Sequence, residues 1–301
     1  MKCVSGVINM NIGGLIALLC FTTSVSAATL ESDKKISRSR LLVTGGASTI
    51  EGPAGGGIVP MAVISGYGAQ EEQGGTAFAS YVDTGDYQLE VFGASWSWRN
   101  RLELSVAQQK LTHDSLTAAL SLPTDSISQR IYSAKLRVVG DLIYTPIPQI
   151  SVAVQHKENL DFLVPGAVGA KSDSGTDINV TATKVFLGGL FNRNLLLNAN
   201  LRYTNANQTG LVGFGGDKND DKEVLPEISA GLLLNKHWLL GTEYRQKPNN
   251  LSFIKEDDWQ TAFVGWFPSR NIAVVAAWVD LGEVATFKDQ TGWYLSVQGS
   301  F

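Results

Sequence analysis

Beyond residue 27 the chain has no cysteine: its two, Cys3 and Cys20, both lie near the start. The rest can form no disulfide and no thiolate metal or redox centre. Histidine is scarce too, with three residues (His113, His156, His237), and only 17% of positions are charged. Basic residues are in the minority, with a formal net charge of −4, which argues against nucleic acid as a partner. After Ala27 no uncharged apolar run approaches the roughly 18 residues of a membrane helix. The stretch from Ile272 to Val279 is among the longest. Yet the mean hydropathy of +0.02 is high for a chain without such a run. Alternating membrane strands produce this combination, because half of every strand is polar.

The front of the chain carries an export signal. Lys2 is the only charge before Glu31, Ile12 to Phe21 is apolar, and Val25-Ser26-Ala27 supplies small residues for a peptidase. Cleavage after Ala27 is expected, with Met10 an alternative start. It would leave 23 of the 24 basic residues against 28 acidic ones, net −5. Cys20 does not mark a lipoprotein, because Leu19 stands where such signals carry a small residue. The expected organisation is a signal peptide (1–27), a Gly-rich N-terminal segment (28–58) and a β-barrel (59–301).

Strand follows strand through the remainder. Candidate runs are 59–69, 75–84, 86–97, 101–111, 129–143, 148–158, 175–187, 195–205, 225–234, 238–247, 258–267, 271–281 and 290–301. Most have about ten residues, the length with which a tilted strand crosses the hydrocarbon. Leu195, Leu197, Ala199, Leu201 and Tyr203 alternate with Asn198, Asn200, Arg202 and Thr204. Trp238, Leu240, Thr242 and Tyr244 oppose Gly241, Glu243, Arg245 and Lys247. Connections alternate between short turns (near 99, 145–148, 190–194, 235–237 and 268–270) and long loops (112–128, 159–174, 206–224, 248–257 and 282–289). A soluble sandwich has no reason to sort its loops, whereas an outer-membrane barrel keeps turns inside and loops outside. All seven tryptophans lie near candidate strand ends, as aromatic girdles require.

The last strand is the most informative. Trp293, Leu295, Val297 and Phe301 share one face; Tyr294, Ser296, Gln298 and Ser300 share the other. Gln290, Gly292, Leu295, Val297 and Phe301 also resemble the C-terminal signal read by the outer-membrane assembly machinery. Thirteen runs cannot close a single-chain bacterial barrel, whose strand count is even. Ser39 to Ala47 would supply a fourteenth strand; twelve is the alternative. The expected fold is therefore all-β, a transmembrane antiparallel barrel. Gly45 to Gly57, with six glycines in thirteen residues, suits either a segment folded into the mouth or lumen or a loose loop.

Three blocks carry a resemblance: LLVTGGASTIEGPAGGGIVPMAVISGYG (Leu41 to Gly68), GLVGFGGDKND (Gly210 to Asp220) and WVDLGEVATFKDQTGWYLSVQGSF (Trp278 to Phe301). They resemble an uncharacterised proteobacterial family of predicted outer-membrane proteins, domain-of-unknown-function family 3034. Met61 stands where that family's pattern has Trp. The resemblance implies a barrel in the Gram-negative outer membrane, and no activity or site residues.

Taking the polar face of each strand as inward, the pore-lining candidates are Glu90, Glu103, Lys135, Arg137, Lys157, Asp177, Arg202, Glu243, Arg245 and Lys247. Glu90, Lys135, Arg137, Arg202, Glu243 and Arg245 are expected near mid-height, where opposed charges narrow a pore. The alternative is a salt-bridge network that closes a small barrel. A lipid hydrolase would need a serine and its base; His156, with Ser128 or Ser133, is the candidate, and an interfacial histidine without chemistry is the simpler reading. Asp217 to Asp221 begins like a calcium loop but lacks its Gly and Glu. Gly52 to Gly57 lacks the Lys and Ser/Thr of a phosphate loop. No catalytic residue, metal or cofactor is expected. The first function hypothesis is a narrow channel for passive diffusion of small solutes; the second is a plugged structural or interaction barrel. Expected partners are outer-membrane lipid and lipopolysaccharide, the barrel assembly machinery and small solutes.

Overall fold

A computed structural model describes residues 45–301 except 69, 70, 121, 123 and 285. The expected leader, residues 28–44 and most of the Ser39 to Ala47 run lie outside the described residues. Fourteen strands are present among the described residues. Two are short, β1 (Ala47–Ser48) and β2 (Ala54–Gly55), and pair with each other, with a further bridge from Gly55 to Pro60. The others are β3 (Gln73–Asp83), β4 (Gln88–Trp98), β5 (Leu102–Thr112), β6 (Ser126–Val139), β7 (Gln149–Asn159) and β8 (Ser174–Leu190). They continue as β9 (Arg193–Thr204), β10 (Glu223–Leu233), β11 (Trp238–Arg245), β12 (Trp259–Trp266), β13 (Ile272–Asp280) and β14 (Thr291–Ser300). These twelve form one closed antiparallel barrel in which β14 pairs back onto β3.

The larger count of fourteen barrel strands thus gives way to twelve. The run 59–69 reads as a strand because it is apolar. Its described part, with Pro60 and Gly66, instead lies inside the cylinder, where Val59, Ala62 and Ile64 are wholly buried. The barrel begins at Gln73.

Turn chemistry sorts the two ends. At the end that carries Phe301, Arg99-Asn100 and Phe191-Asn192 both have positive φ at each residue, the geometry of a two-residue hairpin turn. The opposite end carries the long connections, among them a helix, α1 (Asp114–Leu120), a second, α2 (Leu163–Ala167), and the 3-10 turn Asn207–Gly210. The Thr84 to Tyr87 turn is the one short connection there. It is fixed by Gln290, whose amide accepts from Thr84 Oγ1 at 3.0 Å and donates to Asp86 at 3.0 Å.

Outside, the apolar rows face away from the lumen: Leu197, Leu201, Tyr203, Leu240, Leu295 and Val297 are all exposed. Six tryptophans face outward in two belts. Trp238 and Trp266 stack at 5.9 Å near the Phe301 end, while Trp278 and Trp293 pair near the loop end. Trp259 is the exception. It points inward at 5% exposure, with Lys247 Nζ 4.3 Å from its ring, so it belongs to a cation–π contact rather than a girdle. Inside, β5 to β10 carry Ser, Thr, Asn, Gln and charge. The interior of β12 and β13 is largely apolar and that of β3 and β4 is mixed, with Phe78, Val82, Leu89, Val91, Phe263, Val275 and Val279 buried beside Thr76, Ser80, Ser95 and Ser97.

The seam is closed by the terminal residue. Phe301 N donates to Gly75 O at 3.0 Å and Gly75 N donates to Phe301 O at 3.1 Å. Gly292 permits the last strand to approach the first: a Cβ there would lie 1.8 Å from Asp83 O. Deleting Phe301 removes both bonds, each worth about 1 kcal/mol net. Most of the chain is then expected to lose heat-modifiable gel mobility; unchanged mobility would contradict this role for the seam.

Candidate functional site

The lumen is occupied by the chain's own N-terminal segment. Residues 45–68 fold into a compact plug around the β1–β2 hairpin, with Thr49 N donating to Pro53 O at 3.0 Å and Met61 N to Ala54 O at 3.2 Å. Such a segment leaves many backbone groups without partners of its own. At membrane depth these must be met by neighbouring protein.

The wall meets them with charged side chains. Glu103 (β5) accepts from Ala54 N at 3.0 Å and from Ser65 N at 2.7 Å. Lys135 (β6), 3.5 Å from Glu103, donates to the carbonyls of Ala54, Met61 and Val63 at 2.7, 3.1 and 3.0 Å. Glu243 (β11) accepts from Gly57 and Ile58 N–H at 2.9 Å each and from Val59 at 3.3 Å. Gly56 makes that approach possible, because a Cβ there would stand 2.0 Å from Glu243 Oε1. Gln109 donates to Ile50 O, Gln149 to Ala62 O and Asn198 to Pro60 O, at 2.7, 2.5 and 3.0 Å.

Towards the loop ends of the strands, rather than at the mid-height expected of Arg202 and Arg245, is a charge cluster. Consecutive strands β7 to β11 contribute Lys157, Asp177, Arg202, Glu227 and Arg245, alternating in sign. The row alone carries one excess positive charge. Glu51 of the plug removes it, touching all three cations: Lys157 at 2.5 Å, Arg202 at 2.8 Å and Arg245 at 2.9 Å. Glu227 holds Arg202 and Arg245 at 2.7 and 3.0 Å, and Asp177 holds Lys157 at 2.7 Å. No member is more than 3% exposed.

A second closure lies towards the loops. Asn207 to Leu211 are buried, and Thr209 O accepts from Lys157 Nζ at 3.0 Å. Glu256 accepts from Gln208 N at 2.9 Å and lies 3.2 Å from Lys247. Burial pushes the Lys247 ammonium down to about 8 and raises the Glu256 carboxyl.

Of the ten candidates from sequence, Glu103, Lys135, Lys157, Asp177, Arg202, Glu243, Arg245 and Lys247 face the interior and are buried. They line a filled lumen, not an open bore. Glu90 points outward at the loop end, opposite Tyr81 and Lys110 on its neighbours. Its strand has large apolar residues on both faces, and Leu89 and Val91 on either side of it point inward. Arg137 sits at the rim rather than at mid-height, donating to Gly140 O at 2.7 Å.

Glu51, Glu227 and Glu256 escaped the sequence reading. Glu227 shares its face with Ser229, opposite the outward Ile228, a parity that would have found it; Glu51 carries no local signal.

His156 faces outward. Its partners are Thr176 Oγ1 at 3.1 Å and Glu158 at 3.4 Å. Ser133 is buried on the opposite face, and Ser128 donates its backbone N–H to Asp161. No serine–histidine pair forms at this position. Asp217 of the failed calcium loop accepts from Ser252.

These features define a transmembrane β-barrel of the outer-membrane kind with an internal N-terminal plug. The chain belongs to the family described as "Protein of unknown function (DUF3034)", whose profile matches residues 44–298. No curated protein matches the chain. Among solved structures, the outer membrane protein Omp33 of Acinetobacter baumannii is similar at 11% identity and a TM-score of 0.44, covering 78% of this chain and 100% of that one. The KdgM porin gives 9% and 0.47, covering 76% and 99%. The outer membrane phospholipase A of Escherichia coli gives 9% and 0.37, covering 78% and 92%. The likeness is one of general architecture.

Replacing Glu51 with Ala leaves three buried cations facing two carboxylates. Breaking a buried pair in this way costs about 3–5 kcal/mol. The Glu51→Ala variant is expected to unfold at lower temperature and to expose residues 45–68 to protease from the mouths. Resistance equal to the parent would refute the assignment.

Proposed function

We propose that the protein is an outer-membrane channel for small solutes, closed in this conformation by its N-terminal plug. The observation that carries the reading is how the plug is held. Its contacts to the β5 to β11 side of the wall are hydrogen bonds and ion pairs, while Ile50, Ile58 and Val59 pack on an apolar cluster of the other side, with no covalent tie beyond the chain itself. The polar contacts exchange for water when the segment shifts, and the apolar ones favour the closed position. Passage of a solute would then follow displacement of the plug past the β7 to β11 charge row. With Glu51 withdrawn the row keeps one excess positive charge among alternating signs, a weak bias towards anions. Location in the Gram-negative outer membrane is supported by the two outward aromatic belts, the apolar outer face and the sorted loops. The same outer face supports lipid and lipopolysaccharide as partners. The exposed terminal Phe301, at 74%, supports reading by the assembly machinery.

The second reading, a permanently plugged barrel that presents its loops to partners, is favoured by the additional closure at Asn207 to Leu211. The two differ in conductance. Because the chain beyond residue 27 has no native cysteine, a Ser48→Cys/Thr76→Cys pair can lock the plug to the wall; the parent hydroxyls stand 3.5 Å apart. In planar bilayers the parent protein is expected to show gating events that vanish in the oxidised variant and return on reduction. A parent protein that passes no current at any voltage would leave the structural reading. Equal current in the oxidised and reduced variants would show that the plug is not the gate.

A further inference from the structure

Beneath the plug, towards the Phe301 end, lies a cavity of about 80 Å³. Met61 and Val63 of the plug face Leu196, Leu239, Phe263 and Val275 of the wall across it. Its open side is marked by Leu187, which is 64% exposed at the end of β8. Asn194 is its one polar side chain. A buried water needs two to four polar partners, and apolar cavities stay dry and take up apolar molecules instead. No charged group lines the space. The adjacent cations are turned elsewhere: Lys184 donates to the carbonyls of Asp141 and Thr145, and Arg193 to that of Leu234.

The cavity also continues into the fold. Leu239, Phe263 and Val275 belong to one apolar cluster that climbs the inside of the barrel through Phe78, Val82 and Val91. Higher up, Ile50, Ile58 and Val59 of the plug cover that cluster; lower down Leu239, Phe263 and Val275 border the cavity instead. A water-filled mouth gives no reason for an apolar wall there.

We propose that this cavity is a binding site for a small uncharged hydrocarbon, a single aromatic ring or a short alkyl chain. A closed cavity of about 150 Å³ holds benzene. The smaller space here gains room from its open side at Leu187 and from Met61, whose unbranched side chain adapts readily. A carboxylate on the ligand would be buried without a partner, which excludes anionic analogues. The site stands whether or not the barrel conducts.

The test is crystallographic, on the full-length mature protein. Crystals pressurised with xenon, and others soaked in iodobenzene, are expected to give an anomalous peak between Met61 and Phe263. Iodobenzoate at the same concentration is expected to give none. Val185→Phe and, separately, Leu196→Phe fill the cavity and should abolish the peak while heat-modifiable mobility is retained. Peaks confined to the lipid-facing surface would overturn the proposal, as would no peak in the parent, or a peak surviving in either variant that folds. Equal occupancy by iodobenzoate would overturn the uncharged assignment.

Discussion

Five consecutive strands place charges of alternating sign in one row of a water-poor interior, and the row does not balance by itself. Everything about the lumen depends on the sixth charge, Glu51, arriving from another part of the chain. An isolated cation at this depth costs several kcal/mol in lost hydration. The plug is therefore no passive filler. Its carboxylate makes the wall electrically complete, and the wall's Glu103, Lys135 and Glu243 in turn satisfy the plug's irregular backbone.

That reciprocity divides the barrel into two sectors. Where the plug presents amides and a carboxylate, the wall from β5 to β11 answers with amide, hydroxyl and charged side chains. Where the plug presents Ile50, Ile58 and Val59, the wall answers with Phe78, Phe263, Val275 and Tyr294. The outside is uniform by comparison, since the bilayer asks the same of every strand: apolar rows between two aromatic belts. The inside records the shape of one particular guest.

This explains what was legible in the sequence. The outer face, the loop sorting and the terminal strand follow from the bilayer alone, so their pattern repeats and can be read. Arg202, Glu243 and Arg245 stood out because Leu201, Leu240 and Tyr244 beside them alternate cleanly. Glu90 misled because Val91 and Phe92 are both large and apolar, so parity on β4 carries no label. The apolar run that includes Val59, Ala62 and Ile64 looked like a strand because burial inside a protein and burial in lipid select the same residues. Trp259 followed the girdle rule by position and broke it by direction. Glu51 could not be read at all, because its meaning lies in five residues more than a hundred positions away.

The plug lies immediately before β3 in the chain, with four residues between Gly68 and Gln73, and β3 is also the strand on which β14 closes. The first and last strands of the barrel therefore meet at a single edge, to which the plug is joined. Once that edge zips, twelve hydrogen-bonded staves surround the insert, and its only exits are the narrow ends. A plug already in place at that moment is enclosed by the same event that completes the wall.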